Sequence, residues 1–235
     1  MNWLLLLALA GAYGWYVRGG SDAPATRIVR YRRWLRRAPL AFGLSALVAL
    51  AIAGQLSAFI ERPAAFDAAA GHARQLAGFG GDPQALQVAI LAGFGGGALL
   101  GLLIAWWRVR RGKRELMAGR LDAILPRTRT EIGWTMLLGV TAGVVEELFF
   151  RLALPLFAAL ATGSALLGFG IALVMFAYAH RYQGWIGMGF SLVAGAMFAI
   201  VYLATGELWF AMLLHALLNL NGLVLRPALL GRSAA

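Results

Sequence analysis

Long apolar stretches divided by arginine-rich segments constrain this chain more than any other feature. Asn2 to Val17, Leu40 to Ile60 and Ala85 to Trp107 are apolar runs, and Arg18 to Arg37 and Arg108 to Arg129 carry seven arginines each. Further apolar runs cover Ile132 to Thr162, Ala165 to Ala179, Trp185 to Leu203 and Leu208 to Leu225. Hydrocarbon cannot hydrogen-bond an open backbone, so apolar runs of this length fold as membrane helices. Of the 235 residues 61% are hydrophobic and only 13% charged, against roughly 25% charged in soluble domains. The expected fold is an all-α polytopic transmembrane bundle of about seven helices, or eight if Pro155 divides the fourth run.

The net charge of +11 resides in segments that flank apolar runs. Positive segments stay on the cytoplasmic side, so the charge sets orientation and does not point to nucleic acid. Asn2 to Val17 has no basic residue ahead of it, unlike a signal peptide, and reads as a first helix with its N-terminus outside. Arg226 and Arg232 place the C-terminus inside. With no cysteine, disulfides and thiolate metal sites are excluded.

Between these runs, Glu61 to Gln84 is expected to be an external loop, with His72 an ordinary loop residue. Arg114 to Leu125 spaces its leucines and methionine like an interfacial amphipathic helix. Gly93, Gly95, Gly96, Gly97 and Gly101 crowd the middle of the third run, where small residues let helices approach closely.

Charged groups at membrane depth are costly and usually serve a site. Glu146 and Glu147 stand together in the fourth run, with Arg151 four residues after Glu147. That spacing shares a helix face, so Glu147–Arg151 reads as an ion pair and Glu146 as a general base. His180 follows the next run, and His215 and Asn219, four apart, lie in the last. Imidazole can relay a proton, ligate a metal or donate to an oxyanion, and a carboxamide can donate to an oxyanion. Tyr178, Tyr182, Asn221 and Glu207 are weaker candidates.

Glu146-Glu147-Leu148-Phe149-Phe150-Arg151 resembles the EExxxR motif of the CPBP family, the CAAX-protease and bacteriocin-processing intramembrane proteases. Phe176-Ala177-Tyr178-Ala179-His180 is similar to its FxxxH motif, and His215-Ala216-Leu217-Leu218-Asn219 to its HxxxN motif. The resemblance covers roughly Thr130 to Gly222. It divides a single membrane domain into N-terminal helices with basic loops (residues 1–129) and a CPBP-like catalytic core (residues 130–225).

The resemblance implies an endopeptidase acting on a membrane-associated protein or peptide, either a prenylated CAAX-like substrate or a peptide precursor, in a bacterial inner membrane. Glu146 and His180 would then activate water, His215 and Asn219 would stabilise the oxyanion, and Glu147 with Arg151 would support the site. Family members are described both as metalloproteases and as metal-free glutamate proteases. Glu146, His180 and His215 could hold a divalent metal such as zinc with one open position, although no HExxH helix is present. The readings that compete are a non-catalytic immunity or scaffold protein of the same fold and a proton-coupled transporter.

Overall fold

The computed structural model describes residues 1–19, 26–78, 82–113 and 119–230. Residues 114–118 and Arg232 fall outside that range. Among the described residues every regular element is helical. Four stretches are long and apolar enough to cross a membrane: Arg27–Ile52, Gln84–Arg110, Arg181–Thr205 and Leu208–Leu229. Shorter apolar helices complete a polytopic bundle, among them α1 (Asn2–Arg18) and α8 (Ala165–Ala179).

The second span starts well before Leu40. Thr26 caps α2 (Arg27–Ala38) by accepting from the Val29 N–H. The helix continues through a π-turn at Pro39–Leu44 into α3 (Ser45–Ile52). The basic segment is therefore largely helical and not a loop. Its partners explain why: Tyr31 is fully buried and donates to the Ile124 carbonyl at 2.9 Å, and Arg32 lies 5.0 Å from the Trp134 ring. Trp134 belongs to α6 (Arg129–Glu147), which packs along α2.

This pairing sets the depth of the glutamates. Counted from Ile132, Glu146 is roughly 20 Å up the helix, which would leave it far above His180. However, Arg37 donates to the Trp15 carbonyl and Arg181 to the Val17 carbonyl, so three arginines including Arg18 share one level at the end of α1. Beyond that level α2 and the first turns of α6 run on side by side. Val145 packs beside Gly43, six residues from Arg37 and so roughly 9 Å from the arginine level. Glu146 and His180 accordingly line the same cavity.

Pro155 does not divide the fourth run. A π-turn at Leu148–Ala153 joins α6 to α7 (Leu154–Thr162), and the Leu154 N–H reaches back to Phe149, five residues earlier. Residues 148–159 are all buried, so this rod is the centre of the bundle. Tyr16, Phe42, Phe149, Phe150 and Phe176 form an aromatic chain across it.

Three local expectations change. The segment between Glu61 and Gln84 contains α4 (Asp67–Ala77), whose Ala69, Ala70 and Ala73 are buried against α9 (Gly184–Thr205). Residues 119–125 form turns and not an amphipathic helix. The glycines of α5 (Pro83–Arg110) have no neighbour within 4 Å of a built Cβ, and only 6% of that helix's apolar window is buried. The close approach lies elsewhere. A Cβ on Gly143 would sit 2.7 Å from the Ala216 nitrogen, and one on Gly139 3.2 Å from Asn219 Cβ. This Gly-x-x-x-Gly pair lets α6 dock on α10 (Leu208–Leu220).

Candidate active site

Glu146 and Glu147 end α6, so adjacent side chains leave the helix about 100° apart. Both are buried, with Glu146 5% and Glu147 0% exposed. Glu147 divides its two oxygens: Oε2 lies 3.1 Å from Arg151 Nε, and Oε1 accepts from His215 Nδ1 at 2.7 Å. The expected Glu147–Arg151 pair is present, and it also holds the motif on α10. Arg151 donates to the Gly195 carbonyl at 3.2 Å and lies 4.2 Å from the Phe176 ring. Gly195 leaves the space for this, because a Cβ there would meet Phe176 at 2.9 Å and Arg151 at 3.2 Å.

His215 is held on two sides. Its ring stacks on Phe198 at 4.8 Å between centroids with planes 18° apart, while Nδ1 is tied to Glu147. Nε2 then faces Glu146 Oε2 at 3.9 Å, beyond hydrogen-bond range. That Glu146 oxygen is buried without a hydrogen-bond partner.

His180 caps α8, and its Nδ1 lies 2.9 Å from the Phe176 carbonyl, four residues back. Because a carbonyl can only accept, Nδ1 carries a hydrogen, and in the neutral ring Nε2 then keeps its lone pair. Asn219, one turn beyond His215, donates through Nδ2 to the Gly139 carbonyl at 3.3 Å. One Nδ2 hydrogen thus orients the amide and the other is left over.

Glu146, His180, His215 and Asn219 all line one cavity of about 190 Å³. Glu147 and Arg151 stand behind its wall. Of the weaker candidates, Tyr182 and Asn221 also line it, with Tyr182 stacked on His180 at 6.1 Å. Tyr178 is exposed and Glu207 accepts from the Trp209 indole; neither reaches the cavity, nor does His72. Turns 119–125 cover one side through Leu121, Ile124 and Leu125. Gly119 allows this at φ +98°, where the Arg120 N–H donates to the Gln183 carbonyl at 2.8 Å.

Nothing in the sequence reading pointed to Gly139, Gly143, Gly195 or Phe198. The first two carried a signal, a small-x-x-x-small spacing one turn before the glutamates. The other two lie in the apolar run Trp185 to Leu203, where Ser191, four residues before Gly195, is a weak signal of the same small-residue kind.

A metal is testable against this donor set. Imidazoles anchored through Nδ1 suit metal ligation. Yet no three of the described histidine and acidic side chains gather as a metal-binding group, so the residues as placed do not fit a three-ligand site.

Residues 128–221 match the family of type II CAAX prenyl endopeptidases described as Rce1-like. This is the Rce1-like domain of the chain. It begins one residue before α6 and ends at Asn221, so Glu146, Glu147, Arg151, His180, His215 and Asn219 all fall inside it. The Rce1-like family is one of endopeptidases, which supports a protease function in general terms. Its apolar helices and the family together make the chain an integral membrane protein. No curated protein and no solved structure matches the chain significantly.

Proposed function

We propose that this chain is an intramembrane endopeptidase that hydrolyses a peptide bond of a membrane-associated substrate, prenylated and CAAX-like or a peptide precursor, at the cytoplasmic side of a bacterial inner membrane. The observation that carries this reading is the buried, unpartnered Glu146 oxygen facing the same cavity as His180, His215 and Asn219.

Glu146 and Nε2 of the neutral His180 ring are the groups in that cavity suited to take a proton from water. One of them takes a proton from water as its oxygen attacks the scissile carbonyl carbon. The carbonyl becomes a tetrahedral oxyanion, which the Asn219 Nδ2 hydrogen and His215 Nε2 stabilise. Because His215 Nδ1 already donates to Glu147, Nε2 can donate only from the imidazolium. Glu147 compensates that charge. With His215 protonated, two carboxylates and two cations sum to zero inside the bundle, which lessens the burial cost. The tetrahedral species then collapses, the C–N bond breaks and the proton returns to the leaving amine.

The test is cleavage of a quenched fluorescent peptide panel, with prenylated and unmodified members, by detergent-purified protein and its Glu146→Gln variant. Cleavage by the wild type and nearly none by the variant is the expected outcome, with the variant's melting temperature unchanged. Wild-type rates in Glu146→Gln would remove Glu146 from the role of base. Activity lost to a strong chelator and restored by zinc would replace the metal-free scheme with one in which Glu146, His180 and His215 rearrange as ligands.

A further inference from the structure

One hydroxyl inside the cavity takes no part in the hydrolytic scheme. Ser191 lines the cavity from α9 and is only 5% exposed. A hydroxyl inside a helix often ties back to the carbonyl one turn earlier. Ser45, Thr162 and Thr205 do so, donating to the carbonyls of Ala41, Ala158 and Val201. Ser191 does not: among the described residues its Oγ has no hydrogen-bond partner.

Its level in the bundle follows from the packing of α8 against α9. The two helices are joined by the short turn at Arg181–Gln183 and run antiparallel. A Cβ on Gly195 would meet Phe176 Cδ1 at 2.9 Å and Leu173 Cδ1 at 3.0 Å, which fixes their register. One helical turn nearer the connection, His180 follows Phe176 on α8 and Ser191 precedes Gly195 on α9. Ser191 therefore enters the cavity at the level of His180. Deeper on the same face of α9, Phe198 stacks on His215. One turn before Ser191, Gly187 meets the segment that covers the cavity: a Cβ on Gly119 would lie 2.8 Å from Gly187 Cα.

We propose that Ser191 is a further catalytic residue, whose hydroxyl holds the attacking water beside His180 and Glu146. The proposal rests on the endopeptidase reading above. Water has two hydrogens, and the base takes only one of them. Ser191 Oγ, free of any bond within the described fold, accepts the other. With both hydrogens held, a lone pair of the water oxygen is turned toward the scissile carbonyl carbon, and the reacting atoms start in near-attack geometry. The O–C bond forms as one proton passes to the base. The second proton stays on the attacking oxygen, and the serine keeps its own hydrogen throughout.

The experiment measures kcat and KM for peptide cleavage by the full-length protein in lipid nanodiscs, as wild type, Ser191→Ala, Ser191→Thr and Ser191→Val. Ser191→Ala is expected to lower kcat about 10-fold with KM changed less than about twofold. Its melting temperature should not fall, because the hydroxyl bonds nothing in the described fold. Threonine and valine share a shape, and only threonine keeps the hydroxyl, so Ser191→Thr should outpace Ser191→Val by a similar factor. An uncleaved peptide should bind Glu146→Gln, with or without Ser191→Ala, with the same Kd. Wild-type kcat in Ser191→Ala, equal rates in the threonine and valine variants, or an effect confined to KM and Kd overturns the proposal. Rate and melting temperature falling together also overturn it, since that is how a structural hydroxyl behaves. So does an acyl group on Ser191, seen as added mass on protein quenched in acid during turnover, which would make the serine the nucleophile. If the wild type cleaves nothing, the peptidase reading falls and this role with it. If the wild type and Ser191→Ala cleave equally, only the role of Ser191 falls.

Discussion

Gly143→Ala should damage catalysis without touching any polar residue. A Cβ at this position meets Ala216 at three atoms: N at 2.7 Å, Cβ at 2.8 Å and Cα at 2.9 Å. Two of these are backbone, so no side chain can swing aside. Restoring ordinary contact at 3.4 Å requires α10 to retreat from α6 by about 0.7 Å. His215 precedes Ala216, and its Nδ1 bond to Glu147 Oε1 is 2.7 Å long. A displacement of that size stretches it to the edge of the hydrogen-bond range. Overpacking of this kind costs about 1–3 kcal/mol, and displacements near 1 Å in a catalytic array cost about 10²-fold in rate. The expected result is a 10–100-fold fall in peptidase rate with a moderately lowered melting temperature. Gly133→Ala is the control: it lies on the same helix with nothing within 4 Å of a built Cβ. There, alanine should be neutral or stabilising by up to about 1 kcal/mol. Ala216→Gly added to Gly143→Ala relieves one of three contacts and should recover only part of the rate. A Gly143→Ala protein that behaves like Gly133→Ala would show that the close approach does not set the His215 position.

Further outcomes follow from the same geometry. Glu147→Gln and Arg151→Met should each destabilise the protein by about 3–5 kcal/mol, because each strands a buried charge. The double variant should melt well above the sum of the two losses; strictly additive melting shifts would mean the pair is not coupled. Glu147→Gln should also lower the peptidase rate through His215, and an unaffected rate would separate Glu147 from that imidazole. Asn219→Ala should slow cleavage about 10²–10³-fold with little change in KM, as for loss of one oxyanion donor; a change confined to KM would place the amide in binding alone.

The polar centre was legible in the sequence because each group stands out against an apolar background. Glu146, Glu147, Arg151, His180, His215 and Asn219 could be singled out by type and spacing, and Glu147–Arg151 could be paired from four-residue spacing. That Glu147 also grips His215 could not be read, since that bond joins residues 68 apart in sequence. The all-helical bundle followed from the apolar runs. The helical start of the second span did not, because hydropathy sees only arginines where Tyr31 and Trp34 supply a buried face. Glycines misled in one run and were passed over in another. Their number is greatest in α5, which is almost unburied, while Gly139 and Gly143 lie at the tightest helix crossing of the site.

The π-turn at Leu148–Ala153 sets the length tolerance of the chain. Such a turn holds one residue more than the α-helix it interrupts, and here it carries Arg151 and leads directly into Pro155. Deleting any single residue within it would let the rod close into uninterrupted α-helix. Because the turn already absorbs its extra residue, Leu156 and Phe157 downstream would keep their buried faces, but the Pro155 ring would be brought against an α-helical carbonyl. A one-residue deletion in the α-helix that follows has no such turn to absorb it and would rotate everything downstream by about 100°. A one-residue deletion in the middle of α5 would disturb little more than the packing of Leu86, Ile90, Phe94 and Ala105, the few α5 side chains seated against the rest of the bundle. Two helices of similar apolar content therefore differ sharply in the insertions and deletions they can accept.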